Sequence, residues 1–200
     1  FGDSPTDTPD YTAEFAFDYS TQQYTSRGVT ATIPPAPNSA AGGTKGVKLT
    51  VNDNDETPEP AGVSLYPTGK TFSGNYALRA DVWINYPGGA FGEGSNGSTE
   101  HATFGINHAG TRANWHSTEL EGDGLWFAVA GEGGAAQDYR AYEWDGFSVS
   151  FLRGAAGGLI GEDHGAQVFR DRFPAAFYES FGAPGKQWAT VEVEQRDGNI

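Results

Sequence analysis

The stretch YALRADVWINY, residues 76–86, decides the fold class of this chain. Its side chains alternate between apolar and mainly polar types, and this period of two is typical of a β-strand with one buried face. The apolar face carries Tyr76, Leu78, Ala80, Val82, Ile84 and Tyr86. The other face carries Ala77, Arg79, Asp81, Trp83 and Asn85. We therefore expect the even-numbered side chains to lie in a core and the odd-numbered ones to face outward.

The same alternation recurs along the chain, between segments rich in turn-forming residues. Further strands are predicted at YTAEFAFDYS (11–20), GVKLTV (46–51), HATFGINH (101–108), GLWFAVAGE (124–132), YRAYEW (139–144), FSVSFL (147–152) and WATVEVEQ (188–195). Many short strands separated by turns favour stacked antiparallel sheets over a helical bundle. The sequence therefore predicts an all-β fold, a two-sheet antiparallel β-sandwich, as a single domain over residues 1–200. Residues 1–10, rich in Pro, Asp and Thr, are expected to form a loose N-terminal segment.

One short helix is predicted at PAAFYESFG, residues 174–182. Pro174 suits the first helical position, and Gly182 suits the position just after the helix end. Phe173, Phe177 and Phe181 are spaced four apart, so they would form a buried stripe on this helix.

The charge of the chain restricts its partners. There are 26 acidic residues against 12 Lys and Arg, a formal net charge of −14. Nucleic-acid binding needs clustered basic residues, so this balance argues against it. No apolar run is long enough to insert into a membrane. Neutral polymers and hard cations remain compatible partners.

The final stretch WATVEVEQRDGNI, residues 188–200, contains a strand and a hairpin turn at Asp197-Gly198. Only Asn199 and Ile200 follow the turn, which leaves the return strand out. Two expectations follow. Either the sandwich lacks its C-terminal strands because the chain is a piece of a longer protein, or the open sheet edge pairs with another copy. The first is favoured, because native proteins seldom leave a long edge bare.

A family resemblance is carried by FSGNYALRADVWINYPGG (72–89), STEHATFGINHAGTRANW (98–115), GDGLWFAVAGEGG (122–134), DYRAYEW (138–144) and the final stretch. Together they resemble bacterial secreted proteins of the concanavalin A-like lectin/glucanase superfamily, and the final stretch resembles a laminin-G-type element. The resemblance covers most of the chain from about Phe15 onward. It implies a jelly roll with one concave face, in a protein that is secreted or displayed on the cell surface.

Carbohydrate binding is the leading functional hypothesis. The predicted outer face of the 76–86 strand would present flat rings to sugar C–H groups and polar side chains to sugar hydroxyls. The predicted ligand-binding residues are Arg79, Asp81, Trp83 and Asn85 on that face, Asn107, Trp126 and Tyr142 on neighbouring strands, and Trp115 in a loop. The expected function is an extracellular, non-catalytic, lectin-like module that binds a glycan or polysaccharide. A structural or self-assembling cell-surface or filament protein is the second hypothesis, and a glycoside hydrolase or lyase is the third.

The catalytic hypothesis is weak because the resemblance brings no intact carboxylate motif. The glucanase pattern of this superfamily is E-x-D-x-x-E, and the nearest match here begins at Glu143 and ends at Ser148. Ser148 stands where the general acid would be needed. Asp145-Gly146 is also typical of a hairpin turn between two strands.

A Ca²⁺ site is predicted in the acidic turn NDNDE, residues 52–56. Asp53, Asp55 and Glu56 would supply carboxylate oxygens, the ligands that Ca²⁺ prefers. The resemblance supports this, since superfamily members often carry Ca²⁺ beside a sugar site. Asp and Asn are also ordinary turn residues, so a plain acidic turn is the alternative.

Overall fold

The computed structural model describes residues 2–3, 10–53, 61–90, 100–116, 122–152 and 161–200. Within these ranges the chain forms twelve strands, one α-helix and two 3₁₀ turns. The strands are β1 Gly2–Asp3, β2 Tyr11–Asp18, β3 Gln23–Ser26, β4 Val29–Thr32, β5 Lys45–Val51, β6 Gly62–Val63, β7 Tyr76–Val82, β8 His101–Ile106, β9 Leu125–Ala130, β10 Tyr139–Trp144, β11 Val149–Phe151 and β12 Ala189–Gln195. The helix α1 is Gln167–Arg172 and the 3₁₀ turns are Tyr19–Thr21 and Ala40–Gly42. All strand pairs are antiparallel, which confirms the all-β prediction.

The largest sheet has the strand order β11-β10-β9-β8. One of its faces is the core of the molecule, where Trp126, Ala128 and Tyr142 are buried and Trp144, Val149 and Phe151 pack against them. The Trp126 ring stacks on Tyr142 with 5.4 Å between ring centroids. Its Nε1 donates a hydrogen bond of 2.7 Å to the backbone oxygen of Trp115, so the segment that contains Trp115 covers this face.

Strand β7 pairs with β12, and one face of this pair is apolar. In this pair Val82 lies opposite Ala189, Ala80 opposite Val191, and Leu78 opposite Val193. A groove of about 270 Å³ continues from this pair across the second face of the large sheet. Its apolar lining includes Val82, Ile84, Ala102, Phe104, Val129, Phe169, Phe173 and Val191. The even-numbered side chains of 76–86 therefore share the apolar side, but the prediction that the whole row lies in a core is wrong, because Leu78 is 38% exposed and Ala80 is exposed as well.

The helix is not where the sequence predicts it. The amide of Phe173 donates to the oxygen of Phe169 at 2.7 Å and closes α1, because the ring of Pro174 opposes a continued helix. After Pro174 there is one turn, in which the amides of Phe177 and Tyr178 both donate to the Pro174 oxygen, at 3.0 and 3.1 Å. Phe177 is 72% exposed, so the predicted buried stripe does not form.

Two further strand pairs complete the parts of the fold that matter for the site. Strands β3 and β4 form a hairpin whose turn residues Arg27 and Gly28 both have positive φ, 52° and 75°. Strands β2 and β5 form a ribbon with a bulge between Phe15 and Phe17, where Ala16 has a φ of 58°.

The two hairpin turns predicted from Asp-Gly pairs are both confirmed. Asp145-Gly146 joins β10 to β11. Asp197 and Gly198 have φ of 51° and 79°, and the backbones of Arg196 and Asn199 exchange two hydrogen bonds of 2.8 Å around them. Positive φ at both central positions is the requirement of a type I′ turn, which explains why this residue pair marks it.

Candidate functional site

The predicted outer face of β7 is partly covered by another segment of the chain. The Asp81 carboxylate accepts hydrogen bonds from the Asn38 backbone N–H (2.9 Å), Asn38 Nδ2 (2.8 Å) and Thr190 Oγ1 (2.7 Å). Partial burial opposes ionisation, but these hydrogen bonds outweigh it and leave the pKa of Asp81 below its usual value. Asp81 therefore holds the segment around Asn38 against the β7–β12 pair.

Trp83 belongs to an aromatic cluster. Its ring meets Tyr24 edge to face at 4.9 Å between centroids and Trp188 at 5.5 Å, and Trp188 meets Tyr19 at 5.1 Å. Trp188 Nε1 donates to the Pro34 oxygen at 2.7 Å, whereas the buried Nε1 of Trp83 has no hydrogen-bond partner. Trp83 is thus half-buried between neighbours, and only part of its ring reaches the surface.

The remaining polar residues of the predicted face are engaged within the chain. Arg79 forms an exposed ion pair with Glu192. Asn85 Nδ2 donates to the Gln23 oxygen at 3.1 Å. Asn107 Nδ2 donates to Gln195 Oε1 at 3.0 Å. The structure therefore places these residues on the surface but gives each a partner already.

Three predicted binding residues lie in the interior. Trp126 has no exposed surface, and Trp115 and Tyr142 are also buried. Our expectation that their rings face outward is wrong. Trp126 and Tyr142 lie on the face of the large sheet that the segment containing Trp115 covers. The β9 sequence LWFAVA is apolar on both faces, so its alternation could not show which face would be covered.

The predicted Ca²⁺ ligands are described only in part. Asp53 is exposed and accepts a hydrogen bond of 2.6 Å from Thr50 Oγ1, whereas Asp55 and Glu56 lie outside the described residues. Elsewhere in the described ranges, Asp138, Asp163 and His164 place one ligand atom each within 4.8 Å of one another. His164 Nδ1 lies 2.8 Å from Asp138 Oδ2 and 3.2 Å from Asp163 Oδ1. These contacts fasten the segment at 163–164 to Asp138.

A polar pocket of about 350 Å³ opens next to the aromatic cluster. It is lined by Gln23, Tyr24, Thr25, Thr30, Asn85, Tyr86, Pro87, Gly88 and Lys186. The β3–β4 hairpin supplies one wall, and the segment that follows β7 supplies the other. Of the predicted site residues, the structure brings Asn85 to this pocket, and Trp83 lies behind its Tyr24 wall.

The side of the pocket formed by Lys186 is held by a buried ion pair. Lys186 is only 2% exposed, and its Nζ donates to the backbone oxygens of Thr25 (2.7 Å) and Gly88 (2.5 Å) and lies 3.0 Å from Glu179 Oε2. The same carboxylate oxygen accepts from the Tyr86 hydroxyl at 2.8 Å. Burial raises the pKa of Tyr86 well above its ordinary value, so the hydroxyl keeps its proton and remains a donor.

The walls of the pocket carry neutral donors and acceptors. The hydroxyls of Thr25 and Thr30 face each other across the hairpin at 2.9 Å and are exposed. Gln23 and Asn85 add exposed amides, and Tyr24, whose side chain lies on the other face of β3 from Gln23 and Thr25, also belongs to the lining. The sequence interpretation missed the hairpin. Its signal is the pair of segments QYTS and VTAT, which alternate with period two around the two-residue turn Arg27-Gly28.

The nearest match to a glucanase motif has no catalytic geometry. Glu143 lies exposed on β10. Asp145 caps the hairpin turn by accepting from the amides of Phe147 and Ser148, both at 2.7 Å. Hydrogen bonds from Ser148 and Phe147 lower the pKa of Asp145, which keeps it ionised and unsuited to act as a general acid.

Comparison with protein-family models, curated proteins and solved structures returned no match for this chain. None of the helices in the described residues is both long and apolar enough to cross a membrane.

Proposed function

We propose that this chain is a non-catalytic carbohydrate-binding module of a secreted or cell-surface protein, built as a two-sheet jelly roll. The long apolar groove supports the two-layer architecture, because an apolar sheet face is ordinarily covered by a second layer. The acidic surface and the family resemblance support an extracellular, sugar-binding role.

The observation that carries this proposal is the polar pocket beside Tyr24. Gln23, Thr25, Thr30 and Asn85, which carry hydroxyls and amides, line it together with the aromatic residues Tyr24 and Tyr86. Sugar hydroxyls both donate and accept hydrogen bonds, which suits groups of these types. An aromatic ring offers a flat apolar surface to the C–H face of a pyranose. The volume lies in the range of small-ligand sites, so the pocket has room for one or two sugar rings.

The test begins with an array of oligosaccharides and continues with calorimetric titration of the strongest neutral oligosaccharide it identifies. Thr30→Val removes one pocket hydroxyl with little change of shape, and we expect affinity to fall about five- to tenfold, the effect of one lost hydrogen bond. Thr12→Val is the matched control. Thr12 forms an equivalent exposed pair with Thr50 on the β2–β5 ribbon, and its replacement should leave binding unchanged.

An array on which the wild-type chain binds no glycan would contradict the proposed function. Equal effects of Thr30→Val and Thr12→Val on affinity would show that the glycan does not bind in this pocket. Repeating the array with a chelator tests whether Ca²⁺, expected from Asp53 and its acidic neighbours, assists binding.

Self-association through sheets is the second candidate function. One face of the β2–β5 ribbon exposes Phe15 at 67%, Val47 at 49% and Leu49 at 44%. Val47 lies opposite Phe15 and Leu49 opposite Ala13, so these side chains form one continuous apolar surface. A two-stranded ribbon is marginally stable alone, and a second copy laid on this surface would bury it.

A further inference from the structure

The polar pocket contains a positive charge that is cancelled inside the protein. Lys186 and Glu179 have side chains that are 3% and 8% exposed, and they form an ion pair of 3.0 Å. A charge buried in this way is tolerated only when it is paired and hydrogen-bonded. Both conditions hold here, because Lys186 Nζ has three oxygen partners and all its protons are used.

The Lys186 ammonium group also has no N–H left to donate to a ligand. Lys186 Nζ lies over the Tyr86 ring, 4.4 Å from its centroid, and the Tyr86 hydroxyl donates to the same Glu179 carboxylate. The other oxygen of Glu179 accepts from the backbone N–H of Arg27 at 3.2 Å. Glu179 thus connects Lys186 and Tyr86, two residues of the pocket lining, to the turn of the β3–β4 hairpin.

The groups that do face the opening are uncharged. Gln23, Thr25, Thr30 and Asn85 offer hydroxyls and amides, and among the lining residues that the structure describes, the one lysine is the neutralised Lys186. A carboxylate or sulfate on a sugar would lose its hydration in this pocket and gain no positive partner in return. The net charge of −14 adds a general repulsion of anionic polymers.

We infer that the pocket selects uncharged sugars over uronates and sulfated sugars, and that Glu179 sets this selectivity by neutralising Lys186. The inference rests on the proposed carbohydrate-binding function. It assigns a role to a residue outside the pocket lining, because removing the carboxylate would leave a lysine with an unpaired positive charge at the pocket wall.

The experiment uses two matched probes, the strongest neutral oligosaccharide from the array and the same oligosaccharide oxidised at C6 to the uronate. For the wild-type chain we expect the uronate to bind about tenfold more weakly or worse. Glu179→Gln keeps an acceptor for the Tyr86 hydroxyl but removes the charge, and should reduce this preference about tenfold or reverse it. Glu179→Gln combined with Lys186→Met restores a neutral pocket and should restore the wild-type preference.

Glu192→Gln is the control, because it removes a carboxylate from an exposed ion pair outside the pocket and should leave the preference unchanged. Equal wild-type affinity for the two probes, or an unchanged ratio in Glu179→Gln, overturns the inference while leaving carbohydrate binding intact. Binding of neither probe overturns the proposed function and the inference with it.

A wild-type measurement keeps the inference testable if Glu179→Gln does not fold. Affinity for the uronate should stay constant or rise as salt is raised, since its carboxylate has no positive partner in the pocket and salt screens its repulsion by the acidic chain. A steep loss of uronate affinity with salt would show a charged contact and overturn the inference.

Discussion

Glu132 is a carboxyl group buried near other carboxylates. It is 1% exposed in the turn between β9 and β10, and no described side chain donates a hydrogen bond to it. Burial raises the pKa of Glu132 from 4.5 to about 7, and the negative charge of Glu100 adds to the effect. A carboxyl that is buried beside other negative charges favours its neutral form, which makes the stability of the fold sensitive to pH.

The sign of this sensitivity follows from proton binding. Between pH 4.5 and about 7 the folded chain keeps the Glu132 proton while the unfolded chain loses it, so unfolding free energy falls as pH rises. The total loss is about 3 kcal/mol and is complete above the folded pKa. Burial lowers the pKa of His116, which acts in the opposite direction as the pH rises toward 6.5. The Glu132 contribution therefore has to be measured as a difference between variants.

We expect the stability of the wild-type chain relative to Glu132→Gln to decline across this pH window. Denaturant unfolding at a series of pH values measures this difference. Glu143 is an exposed glutamate, so Glu143→Gln is the control, and its unfolding free energy should change with pH in the same way as that of the wild type. Parallel curves for the wild type and Glu132→Gln would contradict the assignment.

At the scale of elements, the β3–β4 hairpin depends on one residue of its own turn. The Arg27 guanidinium donates to the backbone oxygens of Ala175, Ala176 and Tyr178. Those carbonyls belong to the turn that follows Pro174, where the sequence predicts a helix. An interrupted helix leaves carbonyl oxygens unpaired, and here they receive the arginine instead.

Arg27→Ala should release the hairpin and with it one wall of the polar pocket. We expect a stability loss of about 1–3 kcal/mol, because several charge-assisted hydrogen bonds are removed and their acceptors lose partners. Hydrogen exchange of the amides in β3 and β4 should quicken, and glycan affinity should fall. Arg196→Ala, which removes an exposed ion pair with Glu194, should change stability by less than about 1 kcal/mol. Unchanged exchange in the hairpin would show that Arg27 does not dock it.

At the scale of the whole molecule, the apolar face of the β2–β5 ribbon predicts association. We expect the average sedimentation mass to rise with protein concentration. Leu49→Lys places a charge in the middle of this face and should shift the equilibrium toward monomer by about tenfold or more. Thr12→Lys adds the same charge to a residue whose side chain lies on the other face of the ribbon, and should not. A wild-type chain that stays monomeric at all concentrations would exclude the self-association candidate.

The sequence by itself determined most of the longer strands, the antiparallel class and the Asp-Gly hairpin turns, whereas the β3–β4 hairpin was missed. These depend on local properties: the alternation of side chains along a strand, and the positive φ that a tight turn requires. The outward row of β7 was also readable for this reason, as Arg79 and Asp81 show. The local pattern also predicted a helix after Phe173. That prediction depended on Pro174 at the start and Gly182 at the end, and such terminal signals are weak constraints compared with tertiary contacts.

Only the tertiary structure decided which face of LWFAVA is buried, which polar residues are already paired, and where a ligand has room. The hydrogen bond from Lys186 to Thr25 joins residues 161 positions apart. Such contacts depend on the path of the whole chain, so no periodicity or spacing could place Glu179, Lys186 and the β3–β4 hairpin around one pocket. Trp126 shows the same limit. A strand that is apolar on both faces is predicted to be covered on both, but its sequence does not indicate which elements cover it.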